Sequence, residues 1–198
     1  MTSICFLTIK TPEQVKDRIE EIKRQSTGDY ELVFVSNPNG GVAQNRNECL
    51  RKAKGEIIIF CDDDLYEYPM GWNTILVNKL LEDPNCLMIG PRLLNVNNSP
   101  QTTVSHCDNI KDSFIKVNWL PGACMVYKRN NILFNEMYKF WSPEDIEFQI
   151  DLKRNNPNGY FLLCNTVTMK HINEMKRASE TGIQGKELFR QRHGFLIE

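Results

Sequence analysis

Residues 56–69 read EIIIFCDDDLYEYP. Ile57, Ile58, Ile59, Phe60 and Cys61 form an unbroken apolar run, rich in β-branched residues and too short for a helix. Such a run reads as a strand buried on both faces. Three aspartates, Asp62, Asp63 and Asp64, then stand where that strand should surface. Adjacent carboxylates repel, and each disfavours its neighbour's charge. Aspartate is also common in ordinary turns, but a cation held among the three would remove the repulsion.

Upstream of this stretch, strand and helix signals alternate. SICFLTI (residues 3–9) reads as a buried strand. TPEQVKDRIEEIKRQSTG (11–28) reads as a helix, with Thr11 as cap, Pro12 in the first turn and Gln14 completing a capping box. Val15, Ile19 and Ile22 recur on one face, and Gly28 follows the end. YELVFVS (30–36) is a second strand, and GVAQNRNECLRKAKG (41–55) a second helix with Val42, Cys49, Leu50 and Ala53 inward and Gly55 as stop. The order β-α-β-α-β predicts a mostly parallel α/β sheet with right-handed crossovers. Ligands of such sheets bind beyond the carboxyl ends of the strands. That directs attention to the turns at Thr8–Thr11, Ser36–Gly41 and Asp62–Asp64.

The second half is less regular. GWNTILVNKLLED (71–83) reads as a helix carrying Trp72, Leu76 and Leu80, and NCLMIG (85–90) as a strand. Residues 95–112 are polar and turn-rich and read as a loop. GACMVYKR (122–129) and GYFLLCNTVTMKH (159–171) read as strands with a helix from about Pro143 between them, and KELFRQRHG (186–194) as a short helix. No repeat or linker interrupts the chain. The expectation is a single domain over 1–198, with a nucleotide-binding half at about 1–94 and an acceptor-side half at about 95–198.

Composition narrows the function classes. The chain has 198 residues, 41% hydrophobic and 25% charged, with formal net charge −1. That balance is ordinary for a globular protein and offers no strong field for nucleic acid or an anionic membrane. The first residues lack a basic, apolar leader pattern, and no apolar run approaches the length of a transmembrane segment. Seven cysteines, Cys107 among them, are scattered without a CxxC pair. They read as buried thiols in a reducing, cytoplasmic setting and not as a zinc site.

Four motifs carry candidate chemistry. At the aspartate triplet, Mg²⁺ would favour one or two carboxylates plus phosphate oxygens over an all-protein cage, and Mn²⁺ takes similar ligands. FWSPEDIEFQI (140–150) reads as a plain helix start, with Ser142 as N-cap, Pro143 at the first position and acids favouring the dipole. It also offers Glu144 or Asp145 as a general base. NPNGGVAQNRNECL (37–50) places Gly40 and Gly41 before a helix N-terminus that can hold an anion, with Arg46 able to reach phosphate or base; it lacks the spacing of a phosphate loop. His171 directly follows a strand, with Lys170, Lys176 and Arg177 nearby as phosphate contacts or a solvated basic face. Trp119 is a potential sugar-stacking surface or a core residue.

In order and spacing, residues 3–175 resemble the GT-A fold of nucleotide-sugar glycosyltransferases, family 2 above all. The similar segments are ICFLTIKT, NGGVAQNRN (matching N-x-G-x-x-x-A-R-N), FCDDD (an Asp-x-Asp motif), LPGACMVYKR and SPEDIEF, with His171 on the last strand. The resemblance implies a metal-dependent, inverting glycosyltransferase. It would move a sugar from a nucleoside-diphosphate sugar, most often a UDP-sugar, to a saccharide or other hydroxyl acceptor, with Mn²⁺ or Mg²⁺. By position it implies that Asp64 binds the metal, and that Asp62 or Asp63 holds the ribose or shares the metal. Asp145, or else Glu144, would be the base, and Arg46 would contact the nucleotide. Thr8 and its neighbours, Lys10 included, would line the base pocket, and His171 would complete the metal shell. One departure stands out: where the family often has Asp-Asp-x-Ser after the second strand, this chain has Ser36 and Asn37. An amide both donates and accepts, so the identity of the base read by Asn37 is open.

Two rival functions remain. Sugar-phosphate nucleotidyltransferases use a metal-binding aspartate on a similar sheet but carry a Gly-rich, basic loop after the first strand, which TIKTPEQ is not. A non-catalytic nucleotide-sugar-binding module is the other, suggested by the altered Ser36-Asn37 turn.

Overall fold

The computed structural model describes residues 1–101, 111–138, 143–172 and 180–194. The elements run β1 (Thr2–Thr8), α1 (Lys16–Gln25), β2 (Tyr30–Ser36), α2 (Val42–Lys52), β3 (Ile57–Asp62), β4 (Leu65–Tyr66), α3 (Trp72–Glu82), β5 (Cys86–Leu94), β6 (Phe114–Val117), β7 (Cys124–Lys128), α4 (Glu144–Asn155), β8 (Tyr160–His171) and α5 (Glu180–His193). They build one eight-stranded sheet in the order β2-β1-β3-β7-β5-β8-β4, with β6 on β8. Strands β1, β2, β3, β5 and β8 run one way, and β4, β6 and β7 oppose them. The sheet is therefore mixed and mostly parallel, flanked by helices, as the alternation of signals predicts.

Strand β3 earns its unbroken apolar run. Ile58 and Phe60 enter one core with Cys49 and Leu50 of α2 and Phe148 and Leu152 of α4. Ile57, Ile59 and Cys61 enter the other with Val15, Ile22 of α1 and Trp72, Leu76 and Leu80 of α3. Side chains alternate across a strand, so a strand with helices on both faces needs apolar residues at every position. Each fully buried Leu or Ile contributes about 1.5–3 kcal/mol.

Several local expectations shift. The helix from Thr11 opens with a 3-10 turn at Glu13–Val15, and α-helical geometry begins at Lys16. Half of the expected capping box is present: Gln14 Oε1 accepts from Thr11 N–H at 2.9 Å. Val42 is only half-buried while Ala43, Asn45, Arg46 and Asn47 are buried, so α2 turns a polar stripe inward. Helix α4 opens at Glu144, one residue later than expected, with Pro143 just outside it; Ser142 lies outside the described residues. Strand β5 runs on past NCLMIG to Leu94, and the short strands β4 and β6 carry too few residues for periodicity to reveal them. Helix α5 is longer than KELFRQRHG, reaching back to Glu180. Residues 95–101 turn back on β5, with Leu94 bridging Pro100. Among the described residues no helix is long and apolar enough to cross a membrane. The six described cysteines, Cys5, Cys49, Cys61, Cys86, Cys124 and Cys164, are free and buried, and Cys107 lies outside the described residues.

Candidate active site

The carboxyl ends of β1, β2, β3 and β8 meet along one edge of the sheet, and the antiparallel β7 begins there. The aspartate triplet at the end of β3 does not converge on a single point. Its repulsion is relieved by a separate set of partners for each carboxylate. Asp62 Oδ1 lies 3.5 Å from Arg46 Nη2. Asp63 Oδ2 accepts a short hydrogen bond from Thr8 Oγ1 and sits 3.8 Å from Lys10 Nζ. Asp64 Oδ1 is 3.1 Å from His171 Nε2. Strand pairing enforces that last contact, because Leu65 is the ladder partner of His171.

Arg46 is 2% exposed, with its guanidinium turned onto protein partners. Its Nη1 donates to Glu144 Oε1 at 2.7 Å and its Nη2 to the Gly122 carbonyl at 2.9 Å. The guanidinium carbon stands 5.2 Å from the Phe134 ring centroid and 5.8 Å from that of Phe60. Burial alone would lower its pKa, but Asp62, Glu144 and Asp145 outweigh burial and raise it. One cation thus ties the end of β3 to the start of α4.

The carboxylates around it remain under-compensated. Burial of its inner oxygen pushes Asp62 up to about 7, against the pull of Arg46. Burial likewise pushes Glu144 up to about 8, although Arg46 touches it, because one guanidinium serves three acids. Asp145 is raised as well, by burial first. Glu144 is 5% exposed and occupied by Arg46; Asp145 is more open, and of the two it is the better placed to meet a substrate. Asp145 lies hard against Gly122: a Cβ there would fall 2.5 Å from Asp145 Oδ2. The adjacent Ala123 carbonyl accepts from Asp62 N–H at 2.9 Å. Asp62 and Asp145 therefore flank a single step of the β3–β7 ladder.

The far end of the edge is held by main-chain and hydroxyl contacts. Asn37 N–H donates to the Thr8 carbonyl at 3.1 Å, and Ser36 Oγ donates to the Lys10 carbonyl at 2.8 Å. Lys10 N–H donates to Thr8 Oγ1 at 2.9 Å. Asn37 Oδ1 accepts from Asn39 N–H at 3.2 Å. Gly40 fits between two amides, since a Cβ there would come within 2.5 Å of Asn37 Nδ2 and of Asn45 Oδ1. Asn45 Oδ1 is buried without a hydrogen-bond partner. Thr8, Lys10 and Asn37 thus share one turn cluster.

Asp64 and His171 supply two donors with a carboxylate oxygen and an imidazole nitrogen side by side. That set fits Mg²⁺ or Mn²⁺ completed by phosphate oxygens. Among the described residues no group of three or more His, Cys, Asp or Glu forms a ready metal cage. Asp62 faces Arg46 through its buried oxygen, so of the two Asp64 is the more available oxygen donor. Lys170 pairs with Glu67 at 2.7 Å; Lys176 and Arg177 lie outside the described residues. Trp119 is half-buried.

Residues 8–139 match the family model described as glycosyl transferase family 2. The chain belongs to glycosyl transferase family 2. Among solved structures it is similar to GalNAc-T7, crystallised with UDP, GalNAc and Mn²⁺, at TM-score 0.62 and 13% identity over 96% of this chain. It is also similar to a mycobacterial protein at TM-score 0.66 and 12% identity, over 100% of this chain and 76% of that one. The chain spans about half of the GalNAc-T7 chain, 48%. A search of curated proteins by sequence gave no match. The fold is GT-A.

Sequence reasoning missed two residues of the site and one that anchors the helix bearing it. Gly122 lay inside a quoted segment, but its close packing on Asp145 has no local signature. Gln101, 4% exposed, holds His171 Nδ1 from a stretch read only as loop. Glu147 anchors α4 through Tyr138, Asn135, Arg192 and His193.

Proposed function

We propose that this family 2 member is a metal-dependent, inverting glycosyltransferase, and that it moves a sugar from a nucleoside-diphosphate sugar to an acceptor hydroxyl. The observation that carries the reading is the ladder step joining Asp62 to Ala123, with Asp145 packed on the neighbouring Gly122. It brings an acidic turn suited to a diphosphate next to a half-buried carboxylate suited to a proton.

Asp145 accepts the proton of the acceptor hydroxyl. Burial raises its pKa, which makes it a stronger base than an exposed aspartate. Attack on the face opposite the leaving group, with one base, inverts the anomeric centre. Arg46 keeps Asp145, Glu144 and Asp62 in register without touching the substrate. Thr8, Lys10, Asn37 and Asp63 face the nucleoside. Asp64 and His171, with Asp62 beside them, would hold Mn²⁺ or Mg²⁺, which when bound neutralises charge on the leaving diphosphate. The likeness to GalNAc-T7 makes UDP and Mn²⁺ the first probes. Strands from both the 1–94 and the 95–198 stretch share one sheet, which supports a single domain with a donor half and an acceptor half. The scattered cysteines support a cytoplasmic site of action.

Calorimetry with UDP and Mn²⁺ tests the division of roles. Asp64→Ala should lose metal-dependent UDP binding, whereas Asp145→Asn should keep it and lose sugar transfer. Equal binding by wild type and Asp64→Ala would refute the metal assignment. Release of pyrophosphate from a nucleoside triphosphate would favour a nucleotidyltransferase. Absence of donor hydrolysis with every nucleotide sugar and divalent metal would favour a binding module.

A further inference from the structure

His171 is engaged at both ring nitrogens. Nε2 faces Asp64 Oδ1 at 3.1 Å. Nδ1 faces the carboxamide of Gln101, with Nε2 of the amide at 2.8 Å and Oε1 at 3.2 Å. Gln101 is 4% exposed. It is held from behind by its own main chain, which donates to the Leu93 carbonyl at 3.2 Å. The three side chains, Gln101, His171 and Asp64, make a line from the loop after β5 to the acidic turn.

A neutral imidazole carries one proton and offers one lone pair, and the partner of one nitrogen dictates the role of the other. When the Gln101 amide nitrogen donates to Nδ1, the ring proton must sit on Nε2, where it meets Asp64. The ring then has no lone pair to offer a cation. When the amide turns over and Oε1 accepts, the proton moves to Nδ1 and the Nε2 lone pair is free beside the Asp64 carboxylate. A carboxamide can serve either arrangement by rotating its terminal bond; a carboxylate or an alkyl group cannot. The amide nitrogen stands nearer to Nδ1 than the oxygen does, which favours the first arrangement.

We propose that Gln101 is a positioning residue whose carboxamide sets the tautomer of His171, so that cation binding requires the amide to turn over. The proposal rests on the reading of Asp64 and His171 as metal ligands, and deepens it. It puts the orientation of a metal-ligating ring under an outer partner, and such partners commonly change metal affinity about 10–100-fold.

The test combines two readouts on the full chain. Nitrogen NMR of histidine-labelled, metal-free protein, with the ring assigned through His171→Asn, reads the tautomer without metal or activity. Wild type should carry the proton on Nε2, and Gln101→Glu, which can only accept, should move it to Nδ1. Calorimetric titration with Mn²⁺ in the presence of UDP should then show Gln101→Leu about 10–100-fold weaker than wild type, and Gln101→Glu at least as tight. A tautomer unchanged between wild type and Gln101→Glu overturns the proposal. So does wild-type Mn²⁺ affinity in Gln101→Leu while His171→Ala has lost it, a result that leaves the metal reading intact. Undiminished Mn²⁺ affinity in His171→Ala removes the metal reading instead and takes the metal-loading half of the proposal with it. The NMR comparison separates that case from the first.

Discussion

Glu144 and Glu147 stand one turn apart on α4. They are 5% and 4% exposed, yet their acidities move in opposite directions. Burial works to raise both. At Glu147 it is overcome by hydrogen bonds from Tyr138, His193, Asn135 and Arg192, and the pKa falls below its ordinary value. Tyr138 Oη donates at 2.5 Å, Arg192 Nη2 at 3.0 Å and Asn135 Nδ2 at 3.1 Å, while His193 Nε2 lies 3.1 Å away. At Glu144 burial wins and the group rises to about 8. Among the described residues its strong counter-charge is Arg46, which is shared with Asp62 and Asp145. The difference separates two uses of a buried acid. Glu147 is fully satisfied and fastens α5 and the 134–138 segment to α4. Glu144 belongs to a cluster in which three acids share one guanidinium and burial raises each of them, the kind of perturbation that marks functional sites.

The largest effect expected from perturbing this pair of regions is at Asp145, in the under-compensated one. Asp145→Asn should lower sugar transfer by about 10²–10⁴-fold and leave UDP binding unchanged. Full turnover in that variant, measured by sugar release, would place the base elsewhere. Arg46→Met should cost about 3–5 kcal/mol in urea unfolding, because it strands buried carboxylates. Arg46→Met combined with Glu144→Leu should recover part of that loss, since the charge leaves with its partner. No recovery would mean that Asp62 and Asp145, not Glu144, are what Arg46 chiefly holds. Glu147→Gln should cost about 1.5–3 kcal/mol through lost charge-assisted hydrogen bonds and raise amide exchange in α5. Exchange unchanged there would break the contrast from the structural side.

The smallest and most diagnostic effect is the pH dependence of stability. Glu144 at about 8 and Asp62 at about 7 bind protons more tightly folded than unfolded. Their stabilising contribution is complete below the ordinary carboxylate range and drains as pH rises through about 7–8. Glu147, lowered by its donors, behaves inversely: its contribution is present above its ordinary value and is lost as pH falls through its depressed one. Unfolding measured from acid to mildly alkaline pH should therefore show Glu144→Gln flattening the alkaline limb and Glu147→Gln flattening the acid limb. The same limb altered by both variants would merge the two regions into one.

Much of the fold is legible in the residues. The run IIIFC names a doubly covered strand, and the turns after Thr8, Ser36 and Cys61 name the functional edge. Strands β4 and β6 escaped because two and four residues carry no period. Helix α2 was read by its apolar residues, whereas its buried stripe includes Asn45, Arg46 and Asn47. Asn47 turns inward to donate to the Phe134 carbonyl at 2.9 Å and to accept from Phe134 N–H at 2.9 Å. A polar residue reads as solvent-facing until its distant partner is known.

The chain by itself determined the alternation of elements, the acidic turn and the helix that opens with Glu144 and Asp145. These depend on side-chain period and turn chemistry, which act between neighbours. Only the tertiary structure decided which partner each charge receives. Arg46 meets Glu144 across 98 positions and Gln101 meets His171 across 70. Those pairings are set by sheet order, which puts β7 between β3 and β5, and no local preference encodes that order.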